Sequence, residues 1–163
     1  YSSYFLRLSI SLNSCNMLKR KYKNEWKENE SVTKIKVSAF KLAKLIVGAK
    51  NVLERHQKEL LDILIWKITE ANGKHNTRFV SRGVYHGGSP VEHEHVVPKK
   101  ELITLILKKP TEIKKILDSA LGCLVTRDEH RKLTQKGIGK SWMRYRSVKI
   151  QVYDRLKKRW SER

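Results

Sequence analysis

Cysteine is nearly absent from this chain of 163 residues. There are two, Cys15 and Cys123, far apart and without a CxxC pair. That excludes a disulfide-stapled scaffold and a zinc ribbon built on paired thiolates, and it makes a reducing, cytoplasmic compartment the expectation. No apolar run approaches the roughly 20 residues that a bilayer-spanning helix needs, so no membrane partner is expected. Internal repeats and low-complexity tracts are missing as well, and nothing forces a domain boundary. Acidic residues are scarce beside basic ones, with 16 Asp and Glu against 36 Lys and Arg, a formal net charge of +20. A surplus that large repels itself unless it meets a polyanion, which makes nucleic acid the leading partner. A ribosomal site or an acidic protein fits the charge equally well.

What is present suits one domain of ordinary size. Hydrophobic residues make up 39% and charged residues 32%, enough to fill one core beneath a well-solvated surface. The chain begins with Tyr, and YSSYFLRLSISLNSCN (1–16) reads as a disordered leader before Met17 opens the basic stretch MLKRKYKNEWK. Residues 17–73 read as a basic helical region. In it, Val37, Phe40, Ala43 and Val47 recur at helical spacing up to Gly48. Leu53, Leu60, Leu61, Leu64, Ile65 and Ile68 then give a second apolar face that ends at Asn72-Gly73. The lysines of this pair read as its solvated side.

After Gly73 the pattern shortens. TRFVSRGVYHGGSP reads as a strand closed by a tight loop, and VEHEHVV as a second strand. Pro98 and Pro110 each suit the opening of a helix. The first carries Leu102, Ile103, Leu105 and Ile106; the second carries Ile113, Ile116, Leu117 and Ala120, with Gly122 as its stop. CLVT (123–126) is a short apolar strand. Thr126 with Glu129 forms an S/T-x-x-E capping box, which starts a helix there and puts His130 in its first turn. Val148, Ile150 and Val152 alternate as a half-buried strand, and 156–163 reads as a basic tail. The expected fold is therefore α+β: an N-terminal helical pair, then a core over 74–155 of β-hairpin and helix with a helical insertion.

Chemistry concentrates in EHEHVVPKK (92–100) and CLVTRDEHRKL (123–133). Imidazole and carboxylate are reasonable ligands for a first-row metal, and a neutral imidazole can act as general base near neutral pH. His93, Glu94, His95 and His130 are the candidates. In a regular strand His93 and His95 share one face and Glu94 takes the other, so a joint site needs an irregular strand end. Two other readings stay open: a structural zinc site from Cys123, His93, His95 and His130, or a polar strand end with no chemistry. His56 and His75 read as surface residues, His86 as a turn residue and Cys123 as a small buried strand residue.

HEHVVP followed by LVTRDEHRKL resembles the ββα-metal core of HNH endonucleases over about residues 77–134. The resemblance implies His95 as general base and Glu94 and His130 as ligands of one divalent ion (Mg, Mn, Zn or Ni); His93 is kept beside them as a further candidate ligand, and Arg127, which flanks the site, as a candidate catalytic residue. The chain departs from the family pattern in having no counterpart of the central Asn. It also lacks a second ligand on the helix, and it carries two apparent helices between His95 and His130. The implied activity is metal-dependent hydrolysis of nucleic-acid phosphodiester bonds, with DNA preferred over RNA.

The basic residues offer phosphate contacts. Arg78, Arg82, Lys99 and Lys100 flank the candidate site, as Arg127 does. Further along, Trp142, Arg144, Tyr145 and Arg146 interleave rings with guanidinium groups, a combination that stacks on bases and pairs with phosphates. Trp142 and Tyr145 suit core packing equally well. The alternative to a nuclease is a non-catalytic nucleic-acid-binding protein on a similar scaffold. A third reading is a module that meets an acidic protein partner.

Overall fold

The N-terminal helices form where their caps allow. The computed structural model describes Tyr22 and residues 25–135 and 139–161; the leader expected over 1–16 lies outside the described residues. Helix α1 spans Glu30–Gly48 and begins at Asn29, whose side chain accepts from the Ser31 amide. It starts seven residues before the apolar spacing suggests, because an Asn cap nucleates it ahead of the first strong hydrophobic repeat. The earlier start also resets the buried stripe to Val32, Ala39 and Ala43, while Val37 is half exposed. Helix α2 spans Glu54–Thr69 and buries Leu61, Leu64, Ile65 and Ile68. Leu53 and Leu60, expected on that face, are exposed. Chain reversal follows at Gly73, which takes a φ of 99° that side chains disfavour.

Strand β1 (Phe79–Ser81) runs into a single helical turn, α3 (Arg82–Tyr85), where the sequence suggested a loop. The Ser81 hydroxyl accepts from the Val84 amide and so caps that turn. Strand β2 (Val91–His95) precedes α4 (Lys99–Lys108), a 3₁₀ turn (Pro110–Glu112) and α5 (Ile113–Asp118). The expected helical insertion is therefore present. Its Leu102, Ile103, Ile106 and Ile113 join α1 and α2 in one apolar cluster. Strand β3 (Gly122–Thr126) follows, then α6 (Arg127–Leu133), with both halves of the Thr126–Glu129 capping box formed. Thr126→Ala should cost about 1 kcal/mol of stability by urea unfolding. An unchanged midpoint would mean that the cap contributes nothing here.

The C-terminal part departs from expectation. The interleaved segment forms helix α7 (Trp142–Ser147), and the strand expected over 148–152 forms later, as β4 (Val152–Asp154). Lys149, at φ 56°, makes the turn between them. The segment read as a basic tail folds back as β5 (Arg159–Trp160), which pairs with β4.

The strands make one mixed sheet in the order β2-β3-β1-β4-β5. β2 lies antiparallel to β3, which runs parallel to β1. Side-chain alternation gives the sheet two faces. Cys123, Val125, Phe79 and Val152 pack with Leu133 and Tyr145 from α6 and α7. Leu124 and Val80 pack on the opposite face with Val84 of α3. Among the described residues no helix is long and apolar enough to cross a membrane.

Candidate functional site

The expected site depends on whether β2 stays regular to its end, and it does. All five residues pair with β3 in continuous register, from Val91 opposite Thr126 to His95 opposite Gly122, with no bulge. Glu94 therefore points to the α6/α7 face, while His93 and His95 point to the α2 face. The expected cluster is split by the sheet.

On the α6/α7 face, Glu94 is a buried hub. Its Oε1 accepts from the Arg144 Nη2 at 2.7 Å, and its Oε2 lies 2.7 Å from the His130 Nδ1. The His130 contact meets the distance for a hydrogen bond but not its direction, since that nitrogen has no aligned partner. His130 remains 38% exposed against 9% for the Glu94 side chain. The capping box carries His130 here by fixing the first turn of α6 over the hairpin. A buried carboxylate against a half-exposed imidazole can orient the ring.

Arg144 was expected to contact nucleic acid, but it is buried. Its guanidinium also donates to the backbone oxygens of His95 (2.7 Å), Val96 (3.3 Å) and Leu133 (3.1 Å). It ties the end of β2 to the end of α6 and neutralises Glu94. Tyr145, which suited an interface or core packing equally in the sequence, is 2% exposed and belongs to the core. Trp142 lies between these extremes, half-buried and edge-on to Phe79 with ring centroids 5.0 Å apart.

On the α2 face the two histidines are sequestered. The His95 Nε2 lies 3.2 Å from the Thr69 hydroxyl, and its ring packs against Trp66 at 5.2 Å. The hydroxyl gives its one proton to the Trp66 carbonyl, so the His95 ring is the donor to Thr69. Burial, together with the neighbouring His93 and Lys99, lowers the His95 pKa to about 3. Burial also lowers that of His93, whose Nδ1 meets the Lys74 carbonyl at 3.0 Å. A Cβ at position 122 would come within 2.7 Å of the His93 ring, so glycine there leaves the ring its space. The side chains of Trp66 and Thr69 that bury His95 were not anticipated. The signal was available in the alternation of VEHEH, which places His95 opposite Glu94.

Arg127, expected beside a reacting group, pairs with Glu92 at 3.1 Å on the surface. Lys99 pairs with Asp62 at 2.6 Å and lies over the Trp66 ring, so it fastens α4 to α2. Lys100 is exposed in the first turn of α4. Arg78 holds Asp154 through two bonds of 2.8 and 2.6 Å. Arg82 reaches the Gln151 side chain at 2.8 Å, and Arg146 is exposed without an ion pair among the described residues.

As arranged, Glu94 and His130 do not fit a divalent ion. Two atoms each about 2.1 Å from a metal lie roughly 3 Å apart or more at angles of 90° and above, further than the 2.7 Å seen. The other carboxylate oxygen is already held by a guanidinium. No group of three His, Cys, Asp or Glu suited to a metal occurs among the described residues. The zinc alternative fails on geometry too, because Cys123 lies on the Glu94 face and His93 and His95 on the other.

No family model, curated protein or solved structure matches this chain.

Proposed function

We propose that this chain is a nucleic-acid-binding protein that holds its ligand by phosphate contacts and does not cleave it. The observation that carries this reading is the division of labour among its charges. Arg144 and Glu94 are committed to each other inside the fold, and His95 is sequestered against Trp66 and Thr69. The chain carries a net charge of +20, and most lysines among the described residues are exposed. The free thiol of Cys123 is buried and suits a cytoplasmic setting.

Labelled DNA should bind with an affinity that falls steeply with salt, because each phosphate neutralised by Lys or Arg releases condensed counterions. Titration by fluorescence anisotropy at several salt concentrations checks this. Failure to bind at low salt, or binding undisturbed by added salt, would overturn it. Added unlabelled duplex should compete; an acidic protein that DNA cannot displace would favour the third reading instead.

One observation favours a second reading, HNH-like metal-dependent hydrolysis with DNA preferred. Glu94 and His130 meet where a hairpin feeds a helix. That reading requires His95 to leave its pocket and the Glu94–His130 contact to open. Nicking of supercoiled plasmid with magnesium, manganese, zinc or nickel, abolished by His95→Ala and by His130→Ala, would establish it and displace the binding-only proposal.

A further inference from the structure

On the side of the sheet away from β2, the C-terminal residues close a groove that the sequence did not announce. A cavity of about 640 Å³ is lined by Arg82, Gly83, Glu129, Arg146, Lys149 and Gln151. It shares Arg146, Ile150 and Ser161 with a second cavity of about 460 Å³, whose walls include Arg78, Trp142, Lys157, Arg159 and Trp160. Both fall within the range of about 300–1,000 Å³ usual for ligand clefts.

The two carboxylates of the groove are already satisfied. Asp154 holds Arg78 and the amides of Leu156 and Lys157. Glu129 accepts from the Ser81 and Thr126 hydroxyls and from the Thr126 and Gly83 amides. By contrast Arg146, Lys149, Lys157 and Arg159 form no side-chain ion pair among the described residues and are exposed. Lys149 also sits at a φ of 56°, a conformation that a residue with a side chain seldom adopts, and lines the first cavity. Trp142 and Trp160 supply half-buried aromatic walls, Trp142 held against Phe79 and Tyr145 and Trp160 against Tyr85, His86 and Tyr153.

Unpaired cations beside half-buried aromatic rings in a concave groove match the chemistry of an unpaired strand. Phosphates pair with the cations and exposed bases stack on the rings, whereas a duplex keeps its base faces stacked and presents only its backbone. We infer that this groove binds single-stranded nucleic acid, with Arg82, Arg146 and Lys149 on phosphates and Trp142 and Trp160 as stacking platforms. The inference rests on the nucleic-acid-binding reading and adds the site and the strand state.

The test uses the full chain and fluorescence anisotropy with oligothymidylate, oligouridylate and duplex DNA, each of about 12 units, within the usual range of single-strand site sizes. The double variant Arg146→Glu/Lys149→Glu should weaken single-strand binding roughly tenfold or more. Lys34→Glu/Lys41→Glu, an equal charge change on exposed residues of α1, should have a much smaller effect. Trp142→Leu should weaken binding about fivefold or more while leaving the salt slope unaltered, as loss of stacking without loss of a phosphate contact requires. Comparison of the thymidylate and uridylate arms identifies DNA or RNA as the preferred strand. Equal losses from the two double variants, or tighter binding of duplex than of either oligomer, would overturn the groove while leaving nucleic-acid binding intact. Absence of binding to all three probes would remove the underlying reading instead. Circular dichroism of each variant confirms that the fold persists.

Discussion

Arg144→Met should destabilise the protein by about 3–5 kcal/mol, because the buried Glu94 carboxylate loses its guanidinium and keeps only the His130 ring beside it. The guanidinium is the main neutralising group at that carboxylate, and it also satisfies three backbone oxygens, at the end of β2, just beyond it and at the end of α6. Arg144→Lys should recover only part of the loss, since a single ammonium cannot reproduce the planar fork that reaches β2 and α6 together. The double variant Arg144→Met/Glu94→Gln should be more stable than Arg144→Met alone, because the stranded charge is gone. Urea unfolding of wild type, these three variants and Glu94→Gln alone measures these differences. If Arg144→Met kept the wild-type midpoint, the clamp would be ornamental. If the double variant were as unstable as the sum of its parts, the coupling between the two residues would be absent. The same series bears on function. Loss of nucleic-acid binding by a folded Arg144→Lys protein would return Arg144 to the interface that its sequence neighbourhood first suggested.

The elements legible in the sequence were those written in local rules. The Thr126–Glu129 box announced α6 and hence the placement of His130. The alternation in VEHEH announced β2, and the prolines marked the helical insertion between β2 and β3. What stayed hidden depends on contacts between distant segments. Arg144 and Tyr145 lie next to Trp142 and Arg146 in sequence, yet the helix they form turns two of the four into the core and leaves Arg146 outside. No interleaving of charge and aromatic residues reveals that split without knowing where α7 packs. His95 presents the same problem. Its adjacency to Glu94 made a shared site attractive, but a strand that pairs without a bulge separates neighbours onto opposite faces. Strand parity, read strictly, already contained that outcome. The burial of His95 by Trp66 and Thr69 did not follow from parity, because those residues come from a helix 26 residues or more away in the chain.

That burial carries the second large expected effect, a loss of stability in mild acid. The pKa of His95 falls from its ordinary value of 6.5 to about 3 in the folded protein, chiefly because burial disfavours the imidazolium, with His93 and Lys99 adding repulsion against the attraction of Asp62. The unfolded chain therefore takes up the proton first. The stabilisation is complete above pH 6.5 and is lost progressively as the pH falls towards 3. At about 1.4 kcal/mol per pH unit, His95 alone should remove roughly 3 kcal/mol between pH 6.5 and 4. His93, also shifted downward by burial, acts in the same sense. Asp154 works lower on the scale. Burial by itself would raise its pKa, but Arg78 and the amides of Lys157 and Leu156 together outweigh burial and hold the carboxyl below the ordinary 3.8, so its contribution disappears only as the pH falls through and below that value. Urea midpoints measured between pH 7 and 4.5 thus stay above the range in which Asp154 titrates. His95→Gln, which keeps a donor for Thr69 but cannot titrate, should be less stable than wild type at pH 7 and show a distinctly shallower decline on acidification. An equal slope in the two proteins would mean that the His95 ring reaches water and accepts its proton in the folded state. In that case the pocket formed by Trp66 and Thr69 would not be closed, and His95 would again be available for the chemistry from which its burial removes it.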